Sequence, residues 1–314
     1  MKIPHTIAAA TVLALCTALF SGVNNFIGKI GVTAVPDPVL FTTLKNGLVA
    51  LLLIAAFVAY RRFDELKTLS RSQWIKLGAI GLIGGSLPFA LFFTGLSMTA
   101  ALNGAIIHKT LVLWVLLFSY PFLKERLSVT ALIGIAAVIA ANYLLGGFKV
   151  FAFGMGEWLI LGATLLWAVE NIIAKKALAG ISTLTVVSAR MVLGSAILLA
   201  FLVLSGRATP ALQVSTVAWG WTALSAALLF GYVTTWYAAL KRAPATYVAA
   251  LLVPATLVTS SLSAIFVTHT LTGKQLSGIV LTFVGVAFLW HYGRKLTLSS
   301  DSSTKHIAAH SQAR

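Results

Sequence analysis

The sequence predicts an all-α membrane protein of ten transmembrane helices, arranged as two inverted five-helix repeats. Three observations predict it. The composition is 59% hydrophobic and only 10% charged, with a mean hydropathy of +0.96. A soluble domain carries about 25% charged residues, so this chain cannot cover a particle facing water. Long unbroken apolar runs recur along the chain, unlike the weak alternating segments of about ten residues in a membrane barrel. Finally, the chain matches itself at an offset of about 145 residues.

A spanning helix needs about 20 mostly apolar residues. The first candidate, 7–32, follows Lys2 and could be misread as a cleaved signal peptide. It has a partner in the second half, which argues for a retained helix. The second, 38–60, opens at Pro36-Asp37-Pro38, and the third, 75–97, carries Gly84-Gly85-Ser86 and Pro88. The fourth and fifth are 102–123 and 128–147, the latter ending at Gly146-Gly147. The sixth and seventh, 156–178 and 183–205, meet at Gly180. Gly206 and Pro210 precede the eighth, 217–239. The ninth is 245–267, and Gly273 opens the tenth, 273–292. Residues 293–314 are polar and read as a disordered tail.

The net charge of +16 suggests nucleic acid, but the cations sit in small groups between apolar runs. That is how loop charges set topology, and no nucleic-acid partner is expected. With the amino terminus inside, sixteen Lys and Arg fall on one side, four on the other, and Lys45, Lys109 and Arg190 lie within spans. The bias puts both termini in the cytoplasm of a bacterial inner membrane. The single cysteine, Cys16, follows the large Leu15 and reads as a packed side chain rather than a lipidation site.

The self-match fixes the architecture. Asn25 to Lys29 fall on Asn171 to Lys175, Lys45 on Arg190, Phe93 to Leu96 on Tyr237 to Leu240, and Thr110 on Pro254. The units are 1–147 and 153–292. Five spans is an odd number, so the second unit enters the membrane upside down. Inverted repeats place a site at the midplane and suit alternating access; duplication of a bundle without transport is the plainer alternative.

These residues carry a resemblance. Asn24-Asn25 with Lys29, and Glu170-Asn171 with Lys175, are followed by Lys45 and Arg190 and by Leu123-Lys124-Glu125-Arg126-Leu127. In this order the chain resembles an EamA-type transporter of the drug/metabolite transporter superfamily over residues 7–292. The resemblance implies ten helices around a central cavity and secondary transport of small metabolites, often outward. The chain departs from the pattern where Thr110 replaces the fourth-helix Pro, retained as Pro254. His269 stands where Glu125 has its counterpart.

Ionisable groups inside a span are costly and are functional candidates by default. Glu170 and Arg190 lie about ten residues either side of Gly180, so both sit about 15 Å from one end and can pair. Their alternative role is a structural ion pair. Lys45 has no evident anion and reads as structural, snorkelling, bonded to a carbonyl, or neutral. His108 and Lys109 are expected to set substrate charge and proton coupling, although neighbours on a helix point about 100° apart. Asn24, Asn171, Trp167 and Tyr237 complete the candidate cavity lining, and Glu125 reads as a surface charge.

No Walker loop, dinucleotide fingerprint, metal-ligand spacing or paired-carboxylate motif occurs, so no enzyme, cofactor or metal is expected. The expectation is a secondary transporter, an exporter, of a small anionic or zwitterionic metabolite such as an amino acid, with protons as coupling ion. The lipid bilayer is its surroundings, and the chain acts as a monomer or homodimer. The alternatives are a proton-coupled exporter of cationic or lipophilic drugs using Glu170 and, from another class, an intramembrane enzyme on a lipid-linked substrate.

Overall fold

The computed structural model describes residues 4–125, 127–146, 154–208 and 213–312. Lys2, Arg126, Gly147, Lys149, Pro210 and Arg314, which entered the sequence reading, lie outside these.

The first half comprises α1 (Pro4–Ala34), α2 (Pro38–Ala59), the short α3 (Phe63–Lys67), α4 (Arg71–Ile80), a π-helical turn over Gly81–Ser86, and α5 (Leu87–Met98). It continues with α6 (Ala101–Lys109), α7 (Leu111–Leu123) and α8 (Val129–Gly146). The second half comprises α9 (Met155–Leu178), α10 (Thr183–Leu204), α11 (Thr216–Arg242), α12 (Ala245–Ala250), α13 (Ala255–Ser263), a π turn over Ala264–Thr268, and α14 (Gly273–Gln312). Among the described residues nine segments are long and apolar enough to cross a membrane, and Val129–Leu145 is a shorter apolar helix. Joining α4 to α5, α6 to α7 and α12 to α13 gives the ten expected spans.

Local chemistry explains the starts. Asp37 accepts from the backbone N–H of Val39 and Leu40, with Pro38 preset at the first helical position. Ser70 and Gln73 form a capping box on α4. Ser182 and Ser215 cap α10 and α11. The last helix runs past residue 292, where a disordered tail was expected. Residues 294–314 contain neither Gly nor Pro to end it.

The halves interlock. The first helix of each packs on the third of the other, α1 on α11 and α9 on α5. Equivalent spans also pair: α2 with α10, α6 of the fourth span with α13 of the ninth, and α8 with α14. Such two-fold exchange is consistent with the expected inverted repeat. The breaks match as well. The fourth span turns at Thr110 (ψ −11) and the ninth at Pro254 (ψ −15), so the break persists in the half that lacks the proline.

Among the carboxylates at the bundle ends, Glu125, Asp37 and Glu65 join elements. Glu125, expected on the surface, instead accepts from the backbone N–H of Ala245 and Thr246 at the start of α12 (2.7 and 3.1 Å). A helix start carries free N–H groups and a partial positive charge, so a neighbouring carboxylate settles there. Asp37 pairs with Arg207 across the halves. Glu65 on α3 accepts from Ser182 N and Thr185 Oγ1 at the start of α10 (2.6 and 2.8 Å). Partial burial pushes the Glu65 carboxyl up, but these hydrogen bonds outweigh it, and the pKa lies below the ordinary value. Its contribution is therefore present above the ordinary carboxylate pKa and lost as pH falls through the lowered one.

Candidate functional site

The centre of the site starts from a missing N–H. In an α-helix residue 88 would donate to the carbonyl of residue 84, but Pro88 has no donor. The helix widens into the π turn Gly81–Ser86, and the Gly84 carbonyl is left for other partners. Two reach it: Trp167 Nε1 from α9 (3.0 Å) and Arg190 Nε from α10 (3.2 Å). Small residues are required here, because a Cβ on Gly84 would stand 2.6 Å from Glu170 Cγ.

Arg190 then joins α9 and α11. Its Nη1 donates to the Tyr237 hydroxyl (2.9 Å) and lies 3.7 Å from Glu170 Oε2. Tyr237 Oη donates in turn to Glu170 Oε1. All three side chains are buried. Glu170 and Arg190 thus meet at one depth, as their spacing around Gly180 requires, with a tyrosine between them. Glu170 Oε2 accepts no hydrogen bond among the described residues, so the Coulombic contact with Arg190 is what offsets its burial.

His108 and Lys109 also converge. Lys109 Nζ donates to Ser21 Oγ (2.7 Å) and lies 3.3 Å from His108 Nδ1. The His108 ring packs against Trp167 and Phe92, at 4.9 and 5.3 Å between centroids. The break at Thr110 lies directly beyond them. The long lysine stem lets two neighbours on a helix meet despite their diverging directions.

Between these groups lies a cavity of about 30 Å³, lined by Ser21, Asn24 and Asn25 of α1, His108, Trp167, Arg190, and Leu229 and Tyr232 of α11. Asn24 Oδ1 accepts from Ser225 (2.6 Å), whereas Asn25 Nδ2 is buried without a partner among the described residues. Of the expected lining, Asn24, His108, Trp167 and Arg190 face the cavity. Lys109 stands behind His108, and Glu170 and Tyr237 stand behind Arg190. Asn171 is turned away, donating to Trp167 O and accepting from Trp236 Nε1. Sequence reasoning missed Asn25 and Tyr232 as lining. Asn25 was legible as the neighbour of Asn24, but Tyr232 depends on which face α11 presents.

The repeat reappears in this chemistry. Lys29 Nζ donates to Leu96 O and Ser97 O (2.9 and 3.0 Å); Lys175 Nζ donates to Leu240 O and Ala243 O (2.6 and 2.7 Å). Leu96 and Leu240 are repeat equivalents. Lys45, the equivalent of Arg190, sits over the ring of Phe93, the equivalent of Tyr237, at 3.5 Å, with Phe89 and Phe41 at 5.0 and 5.6 Å. It is fully buried with no hydrogen-bond partner among the described residues, so of the options open in the sequence it neither snorkels nor binds a carbonyl. Three aromatic faces take the place of an anion. Asn24 stands where the second half has Glu170, so the repeat gives Lys45 an amide where Arg190 has a carboxylate.

Comparison with known proteins agrees with this architecture. A model of the EamA-like transporter family matches residues 8–147 and 154–290. An uncharacterized transporter of Archaeoglobus fulgidus is 30% identical over 243 residues, 76% of this chain and 81% of that protein. An uncharacterized transporter of a Sinorhizobium species is 29% identical over 136 residues, which are 43% of this chain but 94% of that protein. That relative is about one repeat long. A solved crystal structure superposes with a TM-score of 0.72 at 19% identity, covering 92% of this chain and 99% of that one.

Proposed function

The chain belongs to the EamA-like transporter family, a multi-pass membrane transporter and not an enzyme, and from that premise we propose that it is a secondary exporter of a small anionic or zwitterionic metabolite such as an amino acid. The solute passes through the central cavity by alternating access, with protons as the coupling ion. The protein lies in a bacterial inner membrane with both termini in the cytoplasm, as a monomer or homodimer.

The observation that carries this reading is the character of the cavity wall. Arg190, His108 and the unpartnered Asn25 Nδ2 line it, and each can donate a hydrogen bond. The Glu170 carboxylate lies outside the lining and is engaged by Tyr237 and Arg190. A donor-rich wall suits a carboxylate, which accepts up to four hydrogen bonds. A cationic drug handled by Glu170 would first have to break that buried pair. A solute site usually measures about 300 Å³ or more, so the 30 Å³ cavity belongs to a constricted state that must widen during transport.

The test is a comparison of metabolites inside and outside cells that overexpress or lack the protein. We expect a carboxylated solute to accumulate outside the overexpressing cells. A charge-assisted hydrogen bond is worth about 1.5–3 kcal/mol, so Asn25→Leu should weaken apparent affinity for that solute by about tenfold or more. Lys109→Met, which removes the donor to Ser21 and the neighbour of His108, should abolish its export without unfolding the protein. Export of cations alone, unaffected by either substitution, would overturn the reading.

Orientation has its own test. In a Cys16→Ala background, Ser72→Cys, Arg242→Cys and Ser302→Cys should resist impermeant thiol reagents in intact cells. Pro36→Cys, Ser215→Cys and Thr272→Cys should react. Labelling of Ser302→Cys from outside would reverse the assigned orientation.

A further inference from the structure

A second cavity, about 230 Å³, opens on the flank of the bundle between α2, α4 and α10, with α3 as its floor. Phe57, Phe63, Leu66, Trp74, Leu77 and Leu193 give it an apolar wall. Two hydroxyl-bearing residues, Thr185 and Ser188, belong to that wall. Thr185 is committed to Glu65. Ser188 is nine-tenths buried, and its Oγ has no hydrogen-bond partner among the described residues. A lone donor in an apolar groove is costly unless an acceptor arrives with whatever fills it.

The chain segment that supplies one side of the groove is basic. The segment from Arg61 to Lys76 carries Arg61, Arg62, Lys67, Arg71 and Lys76 against Asp64 and Glu65. Lys67 pairs with Asp64, and Glu65 is held by α10 and influenced by Arg62. Arg61, Arg71 and Lys76 make no ion pair among the described residues. Arg71 is one turn before Trp74 on the same side of α4, Arg61 is three residues beyond Val58 after the end of α2, and Lys76 is the chain neighbour of Leu77.

We propose that this groove is a binding site for a phospholipid with an anionic headgroup. One acyl chain lies along the apolar wall, an ester carbonyl accepts from Ser188 Oγ, and the headgroup phosphate sits among Arg61, Arg71 and Lys76. An apolar slot between helices, beside a chain segment with three unpaired cations among the described residues, matches both parts of such a lipid. A second copy of the chain suits the groove less well, because a two-fold contact here would set the cation cluster against itself.

The test uses the full-length protein, purified in detergent and exposed to phosphatidylglycerol or phosphatidylcholine of identical chains, with bound lipid counted by native mass spectrometry. One phosphatidylglycerol should survive delipidation that strips phosphatidylcholine. Each surface cation is worth about fivefold in such attraction, so an Arg61→Gln, Arg71→Gln, Lys76→Gln protein should hold the two lipids alike. Ala189 of α10 also lines the groove, and Ala189→Phe, which fills it, should remove the adduct. Equal retention of both lipids by the unaltered protein would overturn the proposal, as would undiminished phosphatidylglycerol binding in the triple variant. If Ala189→Phe does not fold, the triple variant decides alone. A dimer dissociated by Ala189→Phe, with no lipid preference, would assign the groove to a second copy instead.

Discussion

Gly85→Ala will prise the third span from α10 and abolish transport, although it adds a single methyl. A Cβ at residue 85 would stand 1.9 Å from Arg190 O, 2.9 Å from its carbonyl carbon and 3.1 Å from Gly194 Cα. Every one of these atoms is backbone, so no side chain can rotate away. The contact is tight from the other side too, since a Cβ on Gly194 would come within 2.4 Å of the Gly85 carbonyl carbon. Overpacking by a methylene typically costs about 1–3 kcal/mol, occasionally more. Here the helices themselves must move, and the cost should reach or exceed the upper end. The shift would also break Asn46 Nδ2 to Gly85 O (3.3 Å) and draw Gly84 O from Arg190. Gly78→Ala is the control, because nothing stands within 4 Å of its Cβ position. Alanine favours a helix by up to about 1 kcal/mol over glycine, so this control should melt at or above the original temperature. A Gly85→Ala protein that melts and transports like the original would show that the two helices are not held at this separation.

The contrast between those two glycines shows where the sequence was informative. Apolar runs and their Gly and Pro joints located all ten spans, because burial in a bilayer demands continuous hydropathy. Glu170 and Arg190 were placed at one depth by counting from Gly180, and they do approach each other. The Gly84 carbonyl left its own signal, since Pro88 lies four residues beyond it and cannot donate. What the sequence did not reveal is which carbonyls and rings the neighbouring helices supply. His108 and Lys109 left two directions open, and only the reach of the lysine stem brings Nζ to Nδ1. Lys45 has Phe41 one turn earlier on its own helix, a legible hint of its aromatic surroundings, but Phe89 and Phe93 come from α5. Glu125 beside Lys124 and Arg126 read as a surface cluster because its partner, the start of α12, lies about 120 residues away in sequence.

Removing either member of the Glu170–Arg190 pair should be the most damaging polar substitution, and removing both should restore much of the loss. Each side chain is buried, and each single variant leaves the other charge without its counter-ion. Breaking a buried pair from one side costs about 3–5 kcal/mol. In Glu170→Gln the guanidinium keeps Tyr237 and Gly84 O but has no anion; in Arg190→Gln the carboxylate keeps only the Tyr237 hydroxyl. The double variant has no charge to compensate, so its melting temperature should lie well above that of either single one. Tyr237→Phe separates the bridge from the charges. It removes one hydroxyl that donates to Glu170 and accepts from Arg190, worth about 1.5–3 kcal/mol for a hydrogen bond to a charged group. The three substitutions should therefore be strongly non-additive, as expected within one buried network. A double variant that is stable yet unable to transport would assign the pair a role in the cycle beyond holding α9, α10 and α11 together. Losses that simply add would mean that Glu170 and Arg190 do not act on each other.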